Sequence, residues 1–251
     1  MPACPRSVVR AAIAVIAAAA MLLLTTPIPA HAEVAACGTR AASNYHAGYI
    51  NPGDPYVEGD YAIIATRYGA VCDSDTTNNN FTNQYAMIAS NNLAGWAQDG
   101  YMRWYGSSIV FFAQQSSGHT LNTKYGTTAL ATGSTYFYYN KWDSSCLCME
   151  DIIERTLYLK STWNPWTSWV APFSPQFTGE ATYRSSDLSG TAAAPASYTA
   201  ISGQDSATDT WHAYPCGQLQ AVNDVAAKRA DGKSWHVVAT SPCPNFNLYT
   251  G

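Results

Sequence analysis

The chain has 251 residues and a formal net charge of −4, with 47% hydrophobic and only 12% charged side chains. Sparse Lys and Arg exclude a nucleic-acid partner, because phosphate contacts need clustered positive charge. The size suits a single generous β domain with its own core.

Arg6 and Arg10 precede an apolar run at 11–24, and Ala30-His31-Ala32 supplies a small-x-small cleavage pattern. This predicts a secretory signal peptide over 1–32, cut near Ala32, and an extracellular protein. The run is too short to span a bilayer comfortably, and no second one follows, so no membrane span is expected in the mature chain. The mature domain, 33–251, keeps 11 of the 13 Lys and Arg against 17 Asp and Glu, a net charge of −6.

Cys4 leaves with the signal peptide. Cys37, Cys72, Cys146, Cys148, Cys216 and Cys243 remain, and an even count in an exported chain reads as disulfides. The single residue between Cys146 and Cys148 does not fit a zinc knuckle, so no metal and no cofactor are expected. If extended, those two cysteines lie too far apart to bridge, and each is expected to pair with a distant partner.

The mature chain is rich in Tyr, Trp, Thr, Ser and Gly and poor in Leu, Glu and Lys, which is strand composition. Strands are predicted at 60–67, 84–90, 96–105, 108–115, 134–142, 156–162, 167–171, 176–184 and 235–240. Asn91-Asn92, Gly106-Ser107, Gly133 and Asn164-Pro165 punctuate them as turns. Between Cys72 and Gln84, Asp73, Asp75 and Asn78 form an oxygen-rich loop that lacks the Gly and Glu of an EF-hand, and it reads as a turn. The segment 150–155 is ambiguous between helix and strand, and 190–195 reads as a loop. Leu219, Val222, Val225 and Ala226 recur at helical spacing, predicting a short helix over 217–230 in a C-terminal segment stapled from about Cys216. The fold class is all-β: an antiparallel sandwich with a short C-terminal helix.

Three constellations bear on chemistry. Gln98, in Trp96-Ala-Gln-Asp-Gly-Tyr101, and Glu180, in Phe177-Thr-Gly-Glu-Ala-Thr-Tyr183, are polar residues in mid-strand. A carboxyl held by an amide can activate water and stabilise an oxyanion. Glu150, Asp151 and Glu154 lack the period-2 phase that sandwich glucanases need, since Asp151 points away from the two Glu. Trp163, Trp166 and Trp169 flank the turn at Asn164-Pro165 and could form an aromatic platform for sugars. His46, His119, His212 and His236 are scattered, and no triad order stands out.

The Trp-Ala-Gln-x-Gly-Tyr and Phe-Thr-Gly-Glu-Ala-Thr-Tyr stretches resemble secreted actinobacterial proteins of the concanavalin A-like lectin/glucanase sandwich type. They also resemble the glutamic peptidases of that fold, which use a Gln and a Glu on neighbouring strands. The resemblance covers about 60–203. It implies a jelly-roll sandwich with Gln98 and Glu180 on one face of one sheet, although Gly179-Glu180-Ala181-Thr182 does not reproduce the family's Ala-Glu-Trp-Ile context. Two functions follow as expectations. One is a non-catalytic binder of extracellular polysaccharide or cell-surface polymer through Trp163, Trp166 and Trp169. The other is an acid hydrolase of peptides, with Glu180 as general acid/base and Gln98 as its oxyanion partner.

Overall fold

Short apolar-polar alternations fold into two antiparallel sheets laid face to face. The computed structural model describes Glu33, Cys37 and residues 40–54, 56–72 and 80–251. The expected signal peptide and the oxygen-rich loop at 73–79 lie outside the described residues. From Glu33 onward the chain forms one compact unit. Among the described residues no helix is long and apolar enough to cross a membrane.

The seven-stranded front sheet runs in the order β14 (Gln220–Asn223), β1 (Arg40–Ile50), β10 (Ser174–Tyr183), β3 (Phe81–Ala89), β4 (Trp96–Trp104), β5 (Val110–Ser116) and β6 (Leu121–Tyr125). The back sheet runs β15 (Trp235–Ala239), β16 (Phe246–Thr250), β12 (Ala194–Asp205), β2 (Val57–Ala65), β7 (Thr135–Asp143), β8 (Cys148–Ile153) and β9 (Thr156–Lys160). β11 (Gly190–Thr191) and β13 (Trp211–Ala213) pair with β12.

Period 2 sorts the side chains of the front sheet. Ala86 and Ile88 of β3, Ala97 and Tyr101 of β4, and Phe177 and Ala181 of β10 point inward. They pack with Ala62, Ile64, Tyr138, Ile153 and Tyr198 of the back sheet in the main core. Their neighbours point the other way. Tyr85, Met87, Ala89, Met102 and Phe112 form a separate apolar cluster on the outer face of the front sheet, rimmed by Phe81, Trp96, Trp104 and Val110.

The interior also holds three fully buried carboxyls, Asp60, Asp99 and Asp151. Asn140 Nδ2 donates to Asp60 at 2.7 Å, the Tyr139 backbone N–H to Asp99 at 3.2 Å, and Gln115 Nε2 to Asp151 at 2.9 Å. Burial pushes all three up: Asp60 to about 8, and Asp99 and Asp151 well above the ordinary carboxyl value, with mutual repulsion adding to it. At acid pH these are neutral carboxylic acids, which is how a sandwich core tolerates them.

The sequence-based expectations need four corrections. The helix expected over 217–230 is not formed. Its central residues make β14, whose Gln220 to Asn223 pair with Ile50 to Ala47 of β1. The buried Leu219 and Val225 that mimicked helical spacing are instead brought inward by turns on either side of that short strand. The one helix among the described residues is α1 (Pro165–Ser168), with Asn164 Oδ1 capping the Trp166 N–H. The strand expected at 167–171 is therefore not formed: Thr167 and Ser168 belong to this turn of helix, and 169–171 are irregular. Cys146 and Cys148 bridge each other, while Cys37 pairs with Cys72 and Cys216 with Cys243. The intervening Leu147 sits in the left-handed region at φ 54°, which curls the β7–β8 turn and brings the two Cα atoms to 5.2 Å. Finally, 190–195 is a tight hairpin of β11 and the start of β12, with a Gly190–Pro195 pair. The ambiguous 150–155 segment resolves as β8 and a turn in which Glu154 and Arg155 both take positive φ.

Candidate functional site

A cavity of about 820 Å³ lies over the outer face of the front sheet, and Glu180 stands at one end of it. The local sequence explains the placement. Along β10, Phe177 and Ala181 are drawn into the core, so Thr178 and Glu180 must face outward.

Glu180 is buried but held. Its register partners are His46 on β1 and Asn83 on β3, so both flanking strands aim polar groups at it. Asn83 Nδ2 donates to Oε2 at 3.0 Å, and Asn44 Nδ2 donates to Oε1. His46 Nε2 lies 3.7 Å from Oε1, and its Nδ1 lies 3.6 Å from Asp224 Oδ2. Asp224 is fixed in turn by the His46 backbone N–H, which donates to Oδ2 at 2.7 Å, and by its own N–H, which donates to the His46 carbonyl at 2.9 Å. Both carboxylate oxygens of Glu180 are thus occupied by amides from opposite sides, with an imidazole alongside. Beneath it, burial and the neighbouring Glu180 charge hold the Tyr85 phenol well above its ordinary value, so that group stays neutral.

Gln98 faces the same cavity but is not the partner of Glu180. Across the sheet, Glu180 aligns with Asn83 and Met102, whereas Gln98 aligns with Met87 and Gln176. The two rows are four residues apart along β3, about 13 Å at the rise of a strand, and the residues sit two strands apart. Gln98 Nε2 instead donates to Gln114 Oε1 at 2.7 Å. The Gln98–Glu180 pairing implied by the family resemblance is therefore not formed; they share one face of one sheet, and the amides beside Glu180 belong to Asn83 and Asn44. Between the two rows, Thr178, Tyr85 and Phe112 line the floor, flanked by Gly48 and Gly100. A Cβ would come within 2.2 Å of the Phe177 carbonyl oxygen at Gly48 and within 2.0 Å of the Gln84 carbonyl oxygen at Gly100. Close strand approach thus demands glycine there, and the missing side chains leave an open trough from Glu180 to Gln98. Trp96, Trp104, Leu93 and Tyr125 border it.

Trp163, Trp166 and Trp169 lie elsewhere, about α1. Trp169 is buried, with Nε1 donating to the Ser116 carbonyl at 3.0 Å, while Trp166 is 39% exposed. Trp166 packs on Phe173 at 4.7 Å and Trp163 on Trp169 at 5.5 Å, in tilted rather than coplanar arrangements. Among the described residues, the one group of Cys, His, Asp or Glu close enough to share a metal is Cys146, Cys148 and Glu150. Its two sulfurs are joined in the disulfide, which removes the thiolates such a site would need.

Asn44, His46, Asn83 and Asp224 were not singled out from sequence. Asn83 is one residue ahead of the strand expected at 84–90, and His46 lies in a stretch without a clear alternating pattern. Only the pairing of β1 and β3 with β10 gathers them.

No protein-family model and no curated protein matches this chain. Solved structures do. A Scytalido-glutamic peptidase bound to a peptide-based transition-state analogue superposes with a TM-score of 0.55 at 8% identity, covering 82% of this chain and 98% of that one. SCP-B, a member of the Eqolisin family of peptidases in complex with the tripeptide Ala-Ile-His, superposes with a TM-score of 0.50 at 9% identity, covering 83% and 98%. At such identities the likeness establishes a shared sandwich fold.

Proposed function

We propose that this chain is a secreted hydrolase that cleaves extended peptide chains, with Glu180 as its general base and the Asn83 amide as its oxyanion donor. The observation that carries the reading is the Glu180 carboxylate, buried at one end of an open trough and held on both oxygens by amides from its two flanking strands. The two amides offset the cost of burying a mid-strand Glu, and they hold its carboxylate in place at the trough. An amide nitrogen carries two protons; one Asn83 N–H rests on Glu180 and the second is free for the carbonyl oxygen of a substrate. Water between Glu180 and that carbonyl would lose its proton to the carboxylate as its oxygen bonds to carbon.

The fold likeness to glutamic peptidases supports the same reading, with one departure: the amide beside the Glu is an Asn, and Gln98 lies farther along the trough, where it can contact bound chain. The tilted packing of Trp163, Trp166 and Trp169 lends no support to a flat glycan platform. The test is to incubate the mature protein with a mixed-sequence peptide library between pH 3 and 7 and identify products by mass spectrometry. New termini that are absent with Glu180→Gln support the reading; an unchanged library at every pH overturns it.

A further inference from the structure

Resting on that hydrolase reading, we infer that His46 is a second catalytic residue, the acid that protonates the leaving nitrogen, held in place by Asp224. Three observations lead there. His46 sits between two carboxylates, Nε2 toward Glu180 and Nδ1 toward Asp224. Its backbone N–H and carbonyl are both tied to Asp224, so that carboxylate is held at a fixed place beside His46 on β1. The side chain lines the cavity and is 36% exposed, against 11% for Glu180, so it reaches the space a scissile bond would occupy. Among the described residues the lining of this cavity contains no Lys or Arg, which leaves His46 as its one basic side chain. Its other ionisable lining groups are Glu180 on β10, Asp224 after β14, Tyr85 on β3 and Tyr125 on β6.

The cycle balances. Glu180, as carboxylate, takes a proton from water while the water oxygen bonds to the carbonyl carbon. The carbon–nitrogen bond then breaks, its electron pair leaves with nitrogen, and the His46 imidazolium passes its Nε2 proton to that nitrogen. A carboxylic acid and an amine leave. The enzyme is left as protonated Glu180 and neutral His46, and proton transfer across their contact restores the starting pair. Asp224, 3.6 Å from Nδ1, orients the ring.

The experiment uses paired substrates: a peptide amide, whose nitrogen needs a proton to leave, and a nitrophenyl ester of the same acyl peptide, whose phenolate leaves without one. His46→Gln is expected to lose on the order of 10²-fold in kcat/KM on the amide while staying within about threefold of wild type on the ester. It should also lose the alkaline limb of the amide pH–rate profile. Glu180→Gln should be inactive on both substrates. Should His46→Gln fail to fold by circular dichroism, Asp224→Asn makes the same comparison, with a smaller amide-selective loss expected. Equal losses on amide and ester, or an alkaline limb retained without His46, overturn the acid role while leaving the hydrolase reading intact. A wild-type protein that cleaves neither substrate overturns both.

Discussion

In the proposed mechanism Glu180 and Asn83 act together across one hydrogen bond, which separates them from Gln98 by kinetics. Asn83→Ala removes a donor aimed where charge develops on the substrate oxygen, an interaction stronger in the transition state than in the ground state. It should lower kcat by about 10²-fold, with KM little changed. Gln98→Ala removes an amide about 13 Å along the trough, which can touch only the bound chain. It should raise KM and leave kcat near wild type. Steady-state kinetics on one peptide substrate check both. If Gln98→Ala abolished kcat and Asn83→Ala did not, the assignment of the amide partner would be reversed. The sequence made Glu180 and Gln98 visible because a polar residue in mid-strand stands out. It could not tell which amide meets which carboxyl, since that depends on the β3–β10 register, fixed only when the inward set Ala86, Ile88, Phe177 and Ala181 packs against the back sheet.

At the scale of the element, the legible features were those with strict alternation. β3, β4, β5 and β10 carry enough apolar residues on alternate positions to be read directly. β14 was hidden because a four-residue edge strand between two inward turns shows the same Leu-Val-Val spacing as one helical face. α1 was hidden because a single capped turn has no periodicity to read. The Cys146–Cys148 pair was missed for a related reason: an extended chain cannot close it, but a left-handed Leu147 can. The α1 region also yields a stability prediction. Trp169 is buried and hydrogen-bonded to the Ser116 carbonyl, whereas Trp166 is partly exposed at the same turn. Trp169→Ala should destabilise the fold by about 3–5 kcal/mol, and Trp166→Ala by clearly less, as read from urea midpoints. A larger loss at Trp166 would mean that α1 is anchored by the wrong ring.

For the whole molecule, the buried carboxyls set the pH at which the sandwich is most stable. Asp60, Asp99 and Asp151 keep their protons in the native state where the unfolded chain has already lost them, so unfolding releases protons and stability falls as pH rises. The decline should begin above the unfolded carboxyl value of about 4 and continue to about 8, where Asp60 ionises in the folded protein. Each group contributes up to about 1.4 kcal/mol per pH unit over its range. A few carboxylates act oppositely at the acid end. The Asp231 carboxyl is pulled down chiefly by its hydrogen bond from Arg229, and Glu33 is held below its ordinary value because bonds from Arg103 and two backbone N–H groups outweigh its burial. Their stabilising contribution is present above the unfolded carboxyl value and is lost as pH falls through their folded values. Urea midpoints should therefore peak near pH 4 and fall steadily to pH 8, and Asp151→Asn should flatten that slope. A midpoint that rises from pH 4 to 8 would contradict charge-free burial of the three carboxyls.

Glu180 is the centre of the proposed chemistry, and the most direct measurement is kcat/KM for one cleaved peptide, wild type against Glu180→Gln, at pH 4–5. The glutamine keeps the shape, and its one amide oxygen can still accept from Asn44 or Asn83 while a flip of the other amide meets its NH2, so folding should be preserved while the base is removed. A loss of at least about 10²-fold with an unchanged melting temperature is the predicted result. A folded Glu180→Gln protein that cleaves the peptide as fast as wild type would contradict the assignment of this trough as the active site.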